Sequence, residues 1–129
     1  VAPAAADPRV RRAVLAMEQA MAVPLGIAAV AERLGVSPRQ LDRLFRSSLG
    51  ASPAEVYRGM RLDYGRWLLL NSRRSISEVA QLSGFADGAH FARAYRKRFG
   101  TPPASLRRSG RGGDGPADRR VFPTGQMAE

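Results

Sequence analysis

Apolar residues return every three or four positions along this chain, in segments bounded by strong local signals. Leu41, Leu44, Phe45 and Leu49 form one stripe, and Phe91, Ala94, Tyr95 and Phe99 form another. Such spacing places side chains on one face of a helix. No segment sustains a period-2 alternation, so no strand is predicted. Asp7-Pro8 is an N-cap followed by proline at the first helical position, where a missing N–H does no harm. Ser37-Pro38-Arg39-Gln40, Ser52-Pro53-Ala54-Glu55 and Ser75-Ile76-Ser77-Glu78 have the form of capping boxes. Asp87 and Thr101-Pro102 can open two more helices, and Gly26 is a weaker cap before Ile27. Stops fall at Gly35, Gly50, Gly84 and Gly100.

These signals predict an all-α chain of seven helices, at about 8–21, 27–34, 38–49, 53–71, 76–83, 88–99 and 102–108. The fourth is the longest, about 28 Å for its 19 residues. Residues 1–7 read as a linker remnant and 8–108 as one folded domain. Residues 109–129, rich in glycine and charge without apolar period, read as a largely disordered tail. The chain opens on Val1 and an Ala/Pro-rich lead, VAPAAADP, which gives it the look of a fragment cut at an interdomain linker.

The two stripes belong to an internal repeat. Ile27, Val30, Ala31, Gly35 and Val36 match Ile76, Val79, Ala80, Gly84 and Phe85 at an offset of 49. Beyond the turn, Leu41, Arg43, Phe45, Arg46, Leu49, Gly50 and Pro53 match Phe91, Arg93, Tyr95, Arg96, Phe99, Gly100 and Pro103 at an offset of 50. Each copy reads as a helix–turn–helix, and the long fourth helix joins them. One such motif is too small to bury much core, so the copies are expected to share one. A rigid connector can also present both second helices on one side of the molecule. Duplex DNA offers its major groove on one side about every 34 Å, so two copies suit two successive grooves without dimerisation.

Charge sharpens the picture. Net charge is +10 over 129 residues, and twenty of the twenty-one basic residues are Arg. A GC-rich genome explains Arg in place of Lys, but not the excess over acids, which points to a polyanion. Facing away from the stripes stand Arg39, Asp42, Arg43 and Arg46 on the first second-helix, and Gly88, Ala89, Ala92, Arg93 and Arg96 on the other. Arg can bond guanine bidentately, Asp can accept from cytosine N4, and Ala can touch a thymine methyl. An outward Arg is ordinarily only a solvated face; the recurrence of Arg43 with Arg93, and Arg46 with Arg96, sets these apart. The small residues of the second copy point to shape, methyl contact and phosphate clamping. Trp67 and Tyr64 fall at packing intervals on the long helix. Gly65 permits close packing there, while nothing in the sequence accounts for Gly59.

The absence of Cys excludes disulfides and thiol chemistry, and no apolar run approaches a membrane span. A reducing cytoplasm is compatible with this. His90, the only histidine, suits packing or a phosphate-facing place better than a metal or general base. With one His, no Cys and no convergent acid pair, an enzyme is the least supported class, and no cofactor is implied. RNA binding lacks exposed aromatic platforms. A helical module meeting an acidic partner protein is the competing class, and the doubled basic second helix argues against it.

Ser-Pro-Arg-Gln-Leu-Asp-Arg-Leu-Phe-Arg (37–46), Leu-Gly-Ala-Ser-Pro (49–53), Arg61-Leu62 with Leu68-Leu69, Ile76-Ser77-Glu78-Val79-Ala80, Gly84-Phe85, Phe91 to Arg96, and Phe99 to Pro103 together resemble the DNA-binding domain of AraC/XylS-type transcription regulators. The resemblance covers about residues 8–108. It implies a seven-helix bilobed domain that binds an asymmetric double-stranded promoter site and usually activates transcription, with RNA polymerase as a partner. It implies base or groove contacts from Arg39, Asp42, Arg43, Gly88, Ala89, Ala92 and Arg93, and phosphate contacts from Arg46 and Arg96. Asp7-Pro8-Arg9, Met17-Glu18 and Pro24-Leu25 look most like the GlxA-type branch, where an amidotransferase-like sensor and dimerisation domain comes first. The chain alone is then expected to be monomeric, without membrane attachment, and cytoplasmic. It departs from the family pattern at Gly65, where Ala is usual, and at Gly88-Ala89, where polar residues are common.

Overall fold

A computed structural model of the chain describes residues 7–110, with side chains described over 7–107. The tail expected from 109 lies, beyond Gly110, outside the described residues, as does the lead before Asp7. The described residues form α1 (Pro8–Glu18), α2 (Ile27–Leu34), α3 (Pro38–Leu49), α4 (Pro53–Asn71), α5 (Ile76–Leu82), α6 (Gly88–Phe99) and α7 (Pro103–Gly110), with no strand among them. All three capping boxes close. The Oγ atoms of Ser37, Ser52 and Ser75 accept from the amides of Gln40, Glu55 and Glu78, whose side chains accept the serine amides in return. Each box satisfies two amides that a helix start leaves unpaired.

Four ends differ from expectation, of which α5 stops at Leu82 instead of 83 and α7 runs to Gly110 instead of 108, so residues 109 and 110 are helical and not part of the expected tail. α1 stops at Glu18, three residues short of the predicted boundary at 21. A continued helix would bond the Ala20 carbonyl to the amide of residue 24, which is Pro24 and has none. Tyr57 takes that carbonyl instead, its hydroxyl donating to Ala20 at 2.5 Å and accepting the Leu25 amide at 2.9 Å. α7 starts at Pro103 rather than Pro102. A residue before proline is driven out of the helical region, so Pro102 stays outside.

The chain divides into two compact units, residues 1–58 and 59–129, and α4 runs through the boundary. Each unit buries a set of its own. In the first, Val10, Ala13, Met17, Val30, Ala31, Leu41 and Phe45 are fully buried where α1, α2 and α3 pack together. In the second, Val79, Ala80, Phe91 and Tyr95 are buried between α5 and α6, with Leu62, Tyr64, Leu68 and Leu69 of α4 also inside. A helix–turn–helix becomes large enough for a core once a third helix covers it: α1 in one unit, α4 in the other.

α4 ends without a glycine, and side chains satisfy its last carbonyls. Asn71 donates to Trp67, Ser72 to Leu68, and Arg107 to Leu69, Ser72 and Arg74. Tyr64 is buried as expected, whereas Trp67 is only half-buried and stacks on Tyr64 with ring centroids 6.3 Å apart. Gly65 serves close packing: a Cβ there would stand 2.6 Å from Phe91 Cε1 and 3.3 Å from Ser83 Oγ, both on fully buried residues.

Gly65→Ala should therefore destabilise the fold. Overpacking costs about 1–3 kcal/mol and helix propensity returns only up to about 1. The melting temperature should fall, and a rise would show that Phe91 yields freely. A second expectation concerns α1, where hydrogen bonds from the Arg9 side chain and amide hold the Asp7 carboxyl down to about 2 from its ordinary 3.8. A depressed acid stabilises the fold above its unfolded value. The contribution should thus be complete above about pH 4 and vanish as pH falls through 2. An NMR titration of the Asp7 carboxyl should show that low midpoint, and Asp7→Asn should flatten helix stability across the same window.

Candidate nucleic-acid interface

The turn of each copy is built by the same pair of hydrogen bonds. Val36 donates to the Ala31 carbonyl and Phe85 to the Ala80 carbonyl, while Gly35 and Gly84 donate to Glu32 and Gln81. Gly35 and Gly84 sit at φ +73° and +85°, a region that side chains with a Cβ rarely adopt. The bond from the residue after the glycine, five back along the chain, closes the helix and turns the next segment away from it. Gln40 and His90 then take their amides to Ser37 Oγ and Asp87 Oδ1, and α3 and α6 begin. Both last twelve residues and end on the amides of Gly50 and Gly100 bonding to Arg46 and Arg96.

Burial along α3 and α6 runs in parallel. Leu41 and Phe45 are fully buried on α3, with Phe91 and Tyr95 in the same places on α6. Arg43 and Arg46 are exposed, and so are Arg93 and Arg96. Arg39 and Ala89 are exposed in the first turns, while Asp42, Gly88 and Ala92 are half-buried at the margin. Every residue expected to contact DNA thus lies on the outward side of its helix or at the edge. The structure gathers Arg39, Asp42, Arg43 and Arg46 on α3, and Gly88, Ala89, Ala92, Arg93 and Arg96 on α6.

The two faces differ in what holds their cations. Arg46 Nε donates to Asp42 Oδ2 at 2.9 Å, an exposed pair one turn apart. That bond, and the carboxylate's charge, raise the Arg46 guanidinium further above its ordinary range. On α6 Ala92 stands where Asp42 would, so Arg96 has no such acid. Among the described residues, no ion pair or hydrogen bond engages the side chains of Arg39, Arg43, Arg93 or Arg96. Arg43 instead lines a cleft with Arg9, Gln40, Leu44 and Ser47, and Arg9 in turn is held by Asp7 at 2.8 Å. His90 is exposed and packs edge-on to Phe85, centroids 5.4 Å apart.

Sequence pattern missed which cations are committed to the fold. Arg61 donates to the Gly84 carbonyl at 2.9 Å and lies over the Phe85 ring, pinning the second turn from α4. Arg98, in the same basic run as Arg96, is bound to Asp63 instead of facing solvent unpaired. The signal available for the latter was Gly59, a helix-interior glycine that local pattern left without a reason.

Comparison with known proteins agrees with this geometry. Residues 30–109 match the helix-turn-helix domain family. The HTH-type transcriptional regulator GlxA of Rhizobium meliloti is 47% identical over 92 residues, 71% of this chain and 28% of that protein, so the chain spans less than a third of its length. A crystal structure of a transcriptional regulator with an AraC-type DNA-binding domain from Chromobacterium violaceum superposes with a TM-score of 0.78 at 37% identity, covering 80% of this chain and 92% of that one. The DNA-binding domain of AdpA, a global transcriptional factor crystallised with a target DNA, superposes with a TM-score of 0.75 at 29% identity, over 83% and 96% of the two chains. With two turns and two outward helices of one design, and a family match over more than half of its length, this chain belongs to the AraC-type helix-turn-helix family of transcription regulators.

Proposed function

We propose that this chain binds double-stranded promoter DNA sequence-specifically for a bacterial transcription regulator, inserting α3 and α6 into successive major grooves. One observation carries the proposal. The two helices share side-chain-capped starts, glycine ends, length, a buried pair and two outward arginines, so each turns the corresponding face outward although the residues on it differ. Arg39 and Arg43 read bases from α3, and Asp42 has Oδ1 available for a cytosine amino group while Oδ2 holds Arg46. On α6, Gly88, Ala89 and Ala92 let the backbone approach and touch methyl groups, and Arg93 reads or clamps beside them. Arg46 and Arg96 bind phosphates and fix register. The AdpA neighbour, captured with its target DNA, supports the class of ligand. Following the resembled family, the regulator acts as an activator by placing RNA polymerase beside the promoter. Cytoplasmic location accords with this role, and no described helix is long and apolar enough to cross a membrane.

Selecting bound sequences from a random duplex pool, in moderate salt, tests the proposal. Two short blocks about one helical turn apart, the first better defined, are expected. Binding at low salt without enrichment would refute sequence-specific recognition.

Single substitutions then sort the contacts. Arg43→Ala should lose about 1–3 kcal/mol and relax preference at one base pair of the first block. Arg96→Ala should weaken all duplexes alike and make the log–log salt slope shallower by about 0.9, the share of one phosphate. A base-specific loss for Arg96 would reverse that assignment. Asp42→Ala should change fold stability by no more than about 0.5 kcal/mol, as expected of an exposed i,i+4 pair. Preference at one cytosine should fall with it; a uniform rise in affinity would show that Asp42 only restrains Arg46.

A further inference from the structure

Arg98 occupies the last turn of α6, between Lys97 and the aromatic Phe99, where a free cation would suit a DNA-facing helix. It is not free. Its Nε and Nη2 donate to Asp63 Oδ1 at 3.1 and 3.0 Å, and Nη2 donates to Oδ2 at 3.0 Å. The Asp63 side chain is only 26% exposed, and the guanidinium also lies 5.4 Å from the centre of the Phe99 ring. Gly59, one turn earlier on α4, makes room for this arrangement. A Cβ at Gly59 would stand 2.9 Å from Arg98 Nη1 and 3.3 Å from Cζ. The arginine therefore lies across bare helix backbone to reach its acid. The first copy has no such tie, since Ser48 stands where Arg98 stands in the second.

The asymmetry matches a difference in how the two helices can read. Long side chains on α3 adjust to small errors in helix placement. Gly88, Ala89 and Ala92 on α6 cannot, because a methyl or backbone contact fails once the helix shifts by a fraction of an ångström. A forked guanidinium–carboxylate pair fixes distance and orientation together. Arg98 itself is exposed and Asp63 is half-buried, so what the attraction gains is offset by the desolvation of the carboxylate, and the pair contributes little to global stability. Its value is geometric.

We propose that Gly59, Asp63 and Arg98 form a positioning strut that sets the seating of α6 on DNA, so that Arg98 governs specificity at the second half of the site without touching DNA. The proposal rests on the two-groove function above. It is tested with the 129-residue chain on three duplexes: the selected two-block site, the same site with the second block scrambled, and the same site with the first block scrambled. Gly59→Ala displaces the guanidinium while improving helix propensity. Its melting temperature should hold or rise, yet its affinity for the two-block duplex should drop by roughly fivefold or more, the lower end of what one lost base-pair contact costs. With the second block scrambled, parent and variant should bind equally. Arg98→Lys, which keeps the charge but not the fork, should behave likewise, and exchanging the partners as Asp63→Arg with Arg98→Asp should restore part of the loss. Arg98→Ala should leave the salt slope unchanged. A slope shallower by about 0.9 with loss on every duplex would make Arg98 a phosphate contact and overturn the strut. Variants that match the parent on all three duplexes would overturn it too, while leaving DNA recognition standing. A parent indifferent to the second block would remove the two-groove function and the strut together.

Discussion

Two buried side chains one turn apart set the rotation of each outward helix, and everything presented to a ligand depends on that rotation. Leu41 and Phe45 do this for α3, Phe91 and Tyr95 for α6. A helix advances about 100° per residue. Once positions 41 and 45 face inward, 39, 43 and 46 have no choice but to face out. Close packing makes the choice discrete, because a helix cannot roll by a few degrees without opening voids around its buried pair. The turn guards the same rotation from the other side. Bonding Val36 to Ala31, and Phe85 to Ala80, fixes the direction in which each chain leaves the glycine.

Within that common frame the copies have diverged in core and in charge. The second unit carries a chain of rings, Phe85, Phe91, Tyr95 and Phe99, with successive centroids 5.4, 5.7 and 4.5 Å apart. The first has Leu41 and Leu49 where two of these rings stand. Rings need volume, and the bare Cα of Gly65 supplies it against Phe91. Residues 1–58 hold eight basic and five acidic side chains, against thirteen and six in residues 59–129. Asp42 restrains Arg46 in the first unit, and Ala92 leaves Arg96 without that acid. The first unit thus has polar groups suited to discriminating bases, and the second has excess charge and small surfaces suited to fit.

Most of this was legible in the sequence wherever the physics is local. Capping boxes act over three residues, glycine stops over one, and amphipathic stripes over a dozen, so helix count, repeat and outward face all followed from pattern. What escaped depends on partners far along the chain. The end of α1 is decided by Pro24 and by Tyr57, a residue 37 positions beyond Ala20. The core of each unit depends on which helix covers its motif, a matter of tertiary placement and not of period. Gly59 makes sense only beside Arg98, and Arg98 only beside Asp63, 35 residues away. The outward face was legible; how each cation on that face is employed was not.

Net charge therefore overstates what is available for binding, and the choice of arginine explains why. Arg61 grips a carbonyl while stacking on Phe85, Arg98 forks onto a carboxylate, and Arg107 reaches the carbonyls of Leu69, Ser72 and Arg74 at the end of α4. Arg98 and Arg107 use several donors in one plane, and Arg61 adds a planar cation over a ring, neither of which an ammonium group can offer. These three arginines are structural parts that happen to be charged. Arg39, Arg43, Arg93 and Arg96 have no such duty among the described residues. They sit on the faces that the buried pairs turn outward, where an unpaired guanidinium is solvated and ready to exchange water for a base edge or a phosphate. Genome composition can account for arginine in place of lysine at any one position. It cannot account for the sorting, in which the committed arginines hold α4, α6 and the second turn in place while Arg43 and Arg93, both uncommitted, recur at matched positions on α3 and α6.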